Sequence, residues 1–204
     1  MLKTFLRNCR CPEGRLGRLV VLGMNRGHAQ VSSWALKQAN WPDGLHILDV
    51  GCGGGGNIAR LLKQYPHSTV DGVDYSAQSV AVSQKVNASH LNTRCRIIQG
   101  DVSALPFSAD IYDAVTAMET VYFWPDLKGG FGEIRRVLKP GGTLLVVCEL
   151  GDPVKGRLWS RRCPGMTIYT GEELQCAMAQ AGYDAVTLYQ RGAWIAVSGR
   201  KSFV

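Results

Sequence analysis

The run Ile47-Leu-Asp-Val-Gly-Cys-Gly-Gly-Gly-Gly-Asn57 constrains this chain more than any other stretch. A short apolar strand meets five glycines in six positions, and Ile58, Leu61, Leu62 and Tyr65 then recur at helical spacing up to Pro66. Glycine lets a backbone approach a ligand closely, and the start of a helix aims free N–H groups at it. Strand, glycine loop and helix therefore make a binding turn. The spacing alone leaves the ligand open: Gly51-x-Gly53-x-x-Gly56 satisfies a dinucleotide fingerprint, while Asp49-x-Gly51-x-Gly53-x-Gly55 satisfies a second pattern.

From about residue 30 the chain alternates predicted strands and helices, the pattern of a parallel sheet covered by helices. Val31, Trp34, Ala35 and Gln38 share a helical face ahead of the turn at Trp41–Gly44. Strands are expected at 45–50, 69–73, 96–99, 111–118 and 143–148, with helices between them. The helix carrying Leu127, Phe131, Ile134 and Leu138 is expected to stop at Lys139-Pro-Gly-Gly142, where Pro cannot continue it. Residues 150–168, with Pro153, Gly156, Pro164 and Gly165, read as an irregular loop. Thr170-Gly-Glu-Glu173 reads as a capping box, and 183–189 with 194–198 as a closing hairpin.

With 204 residues, of which 46% are hydrophobic and 19% charged, the chain has material for one core and no bias toward disorder. No apolar run approaches the length of a bilayer span. The net charge of +7 is compatible with anionic substrates or nucleic acid. Much of the excess lies at Lys3, Arg7, Arg10, Arg15 and Arg18, and at Lys155, Arg157, Arg161 and Arg162. Seven scattered cysteines read as free thiols of a cytoplasmic protein; Cys9-x-Cys11 has no second pair to complete a zinc site, and no metal is expected. The first 20 residues are Arg-rich, but Cys11-Pro-Glu-Gly14 breaks a transit helix and no apolar leader core is present.

Two carboxylates stand in register with the glycine loop. Asp74 ends the second strand, where it can accept both hydroxyls of a ribose, and Asp101 follows the third, where it can accept from an adenine amino group. With these, the sequence resembles the class I, seven-stranded S-adenosylmethionine-dependent methyltransferases. The matching runs are 47–55, Val73-Asp-Tyr-Ser76, Gln99-Gly-Asp-Val-Ser-Ala-Leu-Pro-Phe107, Tyr112-Asp-Ala-Val115 and Arg136-Val-Leu-Lys-Pro-Gly-Gly-Thr143. The likeness is greatest to small single-domain members of the ubiquinone and menaquinone methyltransferase group.

The resemblance implies a doubly wound, Rossmann-like α/β sandwich with sheet order 3-2-1-4-5-7-6 and an antiparallel seventh strand. It implies a single methyltransferase domain over 1–204, with 1–40 as an N-terminal extension or lid and 150–168 as a substrate-side loop. Carried over by position, Asp49, Gly51, Cys52, Gly53, Gly55, Asp74, Tyr75, Asp101, Val102, Met118 and Glu119 would hold S-adenosyl-L-methionine, leaving S-adenosyl-L-homocysteine as product. Cys52 is read as packing. Glu119, Tyr122 and His28 lie on segments expected to border the sulfonium and are the candidate bases. Phe123 and Trp124 would add an apolar wall.

Ala117-Met-Glu-Thr-Val-Tyr-Phe-Trp-Pro125 lacks the Asn/Asp-Pro-Pro-Tyr type motif of amino-methylating nucleic-acid and protein enzymes. The expected acceptor is therefore a small molecule, with the basic 155–162 segment closing over an anionic group on it. An RNA methyltransferase, a nicotinamide-dependent oxidoreductase and a non-catalytic cofactor-binding module are the competing readings. The N-terminal segment, with no sheet position of its own, is free to pack on a second copy.

Overall fold

The computed structural model describes residues 12–163 and 165–203. Cys9, Cys11, Lys3, Arg7 and Arg10 lie outside them, as does Pro164.

Two helices, α1 (Gly14–Gly27) and α2 (Ala29–Ala39), precede the sheet. They are followed by β1 (His46–Val50), α3 (Gly56–Gln64), β2 (Thr69–Asp74), α4 (Ala77–Val86) and β3 (Cys95–Gln99). The second half runs β4 (Tyr112–Met118), α5 (Leu127–Val137), β5 (Leu138–Cys148), α6 (Pro153–Arg162), α7 (Gly171–Gln180), β6 (Tyr183–Arg191) and β7 (Trp194–Lys201). The seven strands form one sheet ordered β3-β2-β1-β4-β5-β7-β6, and β7 runs antiparallel to both β5 and β6. Both the order and the reversed strand are as the resemblance implied.

Alternation along the buried strands splits the core in two. Leu144, Val146 and Cys148 pack with Phe131, Ile134, Leu174 and Met178 on one face of the sheet. Leu145 and Val147 pack with Val31, Leu36, Ile58 and Leu61 on the other. A central strand needs apolar side chains on both faces, and β5 has them.

Three local features differ from expectation. The run Lys139–Gly142 is an irregularity inside β5: pairing jumps from Tyr112–Leu138 to Ala114–Thr143, and Gly141 takes φ +77° within it. The helix stops one residue earlier, at Val137. Residues 153–162 are helical, because Pro153 occupies the first turn, where its missing N–H costs nothing, and Asp152 accepts from Val154 and Lys155 N–H. Gly156 is there for packing: a Cβ would stand 2.2 Å from Ile168 Cδ1. The capping box at Thr170 and Glu173 and the hairpin pairing Arg191 with Trp194 are present as read.

Candidate functional site

β1 and β4 are neighbours whose connections leave to opposite sides, so a crevice opens past their C-terminal ends, where open α/β sheets bind ligands. An open cavity lies there. Its wall includes Gly51–Gly54 from the glycine loop, Asp74 and Tyr75 after β2, Asp101 and Val102 after β3, and Met118–Thr120 after β4. Thus nine of the eleven residues assigned to the cofactor, Gly51, Cys52, Gly53, Asp74, Tyr75, Asp101, Val102, Met118 and Glu119, converge on one space from four separate segments.

The other two, Asp49 and Gly55, lie behind that wall. Gly55, at φ +76°, caps α3, and Asn87 donates to its carbonyl at 3.1 Å. Asp49 is buried under the loop; Thr116 donates to its Oδ1 at 2.6 Å, while its Oδ2 has no partner. Burial lifts its carboxyl to about 7.

The glycines answer two different demands. Gly51 takes φ +70°, and a Cβ on it would stand 2.1 Å from Thr120 Oγ1, so the β1 and β4 ends can approach only without a side chain. Gly53, at φ +52°, would project a Cβ into open space, since nothing lies within 4 Å. Its N–H donates to Asp74 Oδ2 at 2.9 Å, and Ser76 N–H donates to Asp74 Oδ1 at 2.9 Å. With the Ser79 hydroxyl as a further donor, the carboxylate keeps acceptor capacity for about one more. Burial raises the Asp74 carboxyl. Cys52 points away into the core against Gly72, and burial pushes its thiol well up, so it packs and does not react.

α1 covers the loop. Asn25 donates to Gly54 carbonyl at 2.8 Å and accepts from Gly56 N–H at 3.3 Å, bridging both sides of the turn. Val21, Met24 and His28 extend the same face into the cavity wall. Of the described part of the expected lid, α1 and His28 border the cavity, whereas α2 packs through Val31, Ala35 and Leu36 into the core.

Beside Met118 a proton-sharing cluster forms. His28 Nδ1 lies 3.1 Å from Glu149 Oε2 and 3.4 Å from Glu119 Oε2. Glu149 N–H donates to Glu119 Oε1. Burial holds the Glu119 carboxyl up at about 8 and holds the His28 imidazole below its ordinary value, against the pull of Glu149. Burial thus favours the uncharged form of both groups. Its three ligand atoms all lie within 4.8 Å, so it is also the one set among the described residues spaced to hold a metal ion. Tyr122 stands outside the cavity wall: its buried hydroxyl accepts from Leu150 N–H at 3.0 Å and donates toward Glu119 at 3.4 Å. Phe123 and Trp124 line the cavity. Glu149 is a site residue that no local pattern marks, whereas Asn25 falls in the Asn25–His28 segment expected to form part of a lid.

Residues 47–142 match the family described as a methyltransferase domain. The ubiquinone/menaquinone biosynthesis C-methyltransferase of Geobacter sulfurreducens is 34% identical over 148 residues, spanning 72% of this chain and 56% of that protein. A sterol 24-C-methyltransferase of Gibberella zeae is 38% identical over 100 residues, spanning 48% and 26%. A fatty-acid O-methyltransferase of Mycolicibacterium smegmatis is 30% identical over 122 residues, spanning 60% and 43%. The chain thus spans from about a quarter to just over half the length of these relatives.

Among solved structures, a complex between the Haloferax volcanii Trm112 methyltransferase activator and a methyltransferase aligns with TM-score 0.78 at 21% identity, over 89% of this chain and 93% of that one. Geranyl diphosphate C-methyltransferase from Streptomyces coelicolor, solved with S-adenosyl-L-homocysteine, aligns with TM-score 0.71 at 16% identity, over 93% and 85%. Residues 47–142 thus match a methyltransferase domain, and the sheet order and glycine loop are those of the class I S-adenosylmethionine-dependent methyltransferase fold.

Proposed function

We propose that this protein transfers the methyl group of S-adenosylmethionine to a small-molecule acceptor. The reading rests on one observation: the glycine loop, Asp74, Asp101 and the Met118–Glu119 strand end surround a single cavity. Two features fit the cofactor. Gly53 leaves open the space that any side chain would fill, and Asp74 stands in the cavity wall with acceptor capacity left for a ribose hydroxyl. Asp49, buried beneath the loop with its Oδ2 unpartnered, places an acceptor behind the glycines that suits a cationic amino-acid arm.

When bound, the cofactor supplies a sulfonium methyl already activated for attack, so that the acceptor–carbon bond forms as the carbon–sulfur bond breaks and its electron pair returns to sulfur. The protein's part is to hold the acceptor in line and dry, worth on the order of 7–11 kcal/mol in well-oriented reactions. Asp74 would hold the ribose, Tyr75 would flank the adenine, and Asp101 with the Val102 backbone would read its amino edge. Phe123 and Trp124 would exclude water.

An acceptor that must lose a proton passes it to neutral His28, whose Nδ1 is oriented by Glu149. Burial favours the protonated form of Glu119, which suits it to orient the acceptor rather than to take its proton. Tyr122 acts through Glu119 as a positioning residue.

Calorimetric titration with S-adenosylmethionine, S-adenosylhomocysteine and NADH, beside an Asp74→Ala variant, tests the reading. Micromolar binding of the first two, lost in the variant, is expected. Binding of NADH alone turns the reading to hydride chemistry, and binding of none leaves a fold without turnover.

A further inference from the structure

Helix α6 is the basic segment that the sequence sets apart, and none of its residues lines the cofactor cavity. It is anchored by one face: Gly156 is buried against Ile168. At 3.6 residues per turn, Val154 and Leu158 fall opposite Gly156. They are 82% and 56% exposed, and Trp159, on the flank beyond Lys155 and Arg162, is 45% exposed. Arg157 and Arg161 flank this apolar ridge on one side, and Lys155 and Arg162 on the other, all exposed. Lys155 reaches Asp152 at 3.5 Å, whereas Arg157, Arg161 and Arg162 have no acidic partner among the described residues.

An apolar ridge facing water between rows of cations is costly unless something covers it. The arrangement suits the boundary of an anionic bilayer, where the ridge enters the acyl edge, the long basic side chains reach up to headgroups and the indole sits between. A nucleic acid would use the cations and leave the ridge wet. A second helix repeats the pattern: α1, whose inner face lines the cavity, exposes Leu16 and Leu19 beside Arg18 on its outer surface. Both helices border the same end of the sheet, for Glu149, just before α6, meets His28, just after α1. We infer that this rim docks on an anionic phospholipid surface, with α6 lying in the headgroup layer and the cavity mouth beside it. The inference is independent of the proposed methyl transfer and gives that reaction access to acceptors dissolved in a bilayer.

The full chain is mixed with phosphatidylcholine vesicles, with or without about a third phosphatidylglycerol, and sedimented at low and high salt. Binding to the anionic vesicles alone, lost at high salt and accompanied by a blue shift of tryptophan emission, is expected. Leu158→Asp and the double variant Arg157→Glu/Arg161→Glu should each weaken it by about tenfold or more while leaving circular dichroism and thermal midpoint unchanged, since all three side chains are exposed. No binding by the parent chain overturns the inference. So does binding that both variants retain, or equal loss of vesicle binding to a short RNA competitor at a concentration where Leu158→Asp makes no difference.

Discussion

His28, at the junction of the two N-terminal helices, lies 3.1 Å from Glu149, at the end of β5 and 121 positions later in the chain. The contact joins the cover of the site to its floor. Burial depresses the imidazole while the carboxylate raises it, so Glu149→Gln should lower the His28 pKa further. With four histidines in the chain, a proton NMR titration can follow each. The sign for stability follows: a depressed folded value means the unfolded chain takes the proton first, so this contribution is complete above the unfolded value near 6.5 and is lost as pH falls through the folded one.

Asp74 should dominate cofactor affinity. Removing a carboxylate that accepts hydrogen bonds costs about 1.5–3 kcal/mol per bond, so Asp74→Ala should weaken S-adenosylhomocysteine binding by at least about tenfold, read by calorimetry. Part of the loss comes through the loop, because Gly53 N–H also loses its acceptor.

Gly51→Ala and Gly53→Ala should differ in kind. Both positions have positive φ, which strains an L-residue by roughly 1–2 kcal/mol. Only Gly51 adds a collision, with Thr120, so its variant should lose the larger share of thermal stability. Gly53→Ala should stay folded and lose cofactor binding, because its methyl enters the cavity; normal binding in that variant would place the ligand elsewhere.

Asp49 predicts a pH dependence. Its folded value, about 7, stands above its ordinary 3.8, so between these the unfolded chain ionises while the folded chain holds its proton. Stability should therefore fall as pH rises from about 4 to 7, by up to about 4 kcal/mol at 1.36 kcal/mol per unit. Thermal midpoints measured across that window should slope less in Asp49→Asn than in the parent chain.

Gly156→Leu should undock α6 from Ile168 and leave cofactor binding intact, because the helix shares no wall with the cavity. Limited proteolysis within 153–162, beside a cofactor titration, reads both outcomes.

The glycine loop, Asp74 and Asp101 were legible as local patterns at strand ends, whereas the strand order came from the family resemblance that those patterns carry together. Helix α6 was hidden by the residues that build it: Pro153 and Gly156 look like breakers, yet one starts the helix and the other lets it pack. Pro140-Gly-Gly142 misled in the opposite way, since a turn signal became an irregularity within a strand once β4 was there to pair with it. Glu149 carries no local mark, and Asn25 only that of the expected lid segment. Their partners lie 121 and 29 positions away, and only the completed sheet and the docked helix bring them together.

The place of β7 has a consequence for how the protein is made. β5, apolar on both faces, pairs with β4 on one edge and with β7 on the other. β7 is synthesised after α6, α7 and β6, so until it emerges β5 offers a bare edge of unpaired backbone N–H and C=O groups beside its apolar faces. Nascent chains in that state are open to edge-to-edge association, and the final hairpin, slipping its second strand between β5 and β6, is what closes the edge.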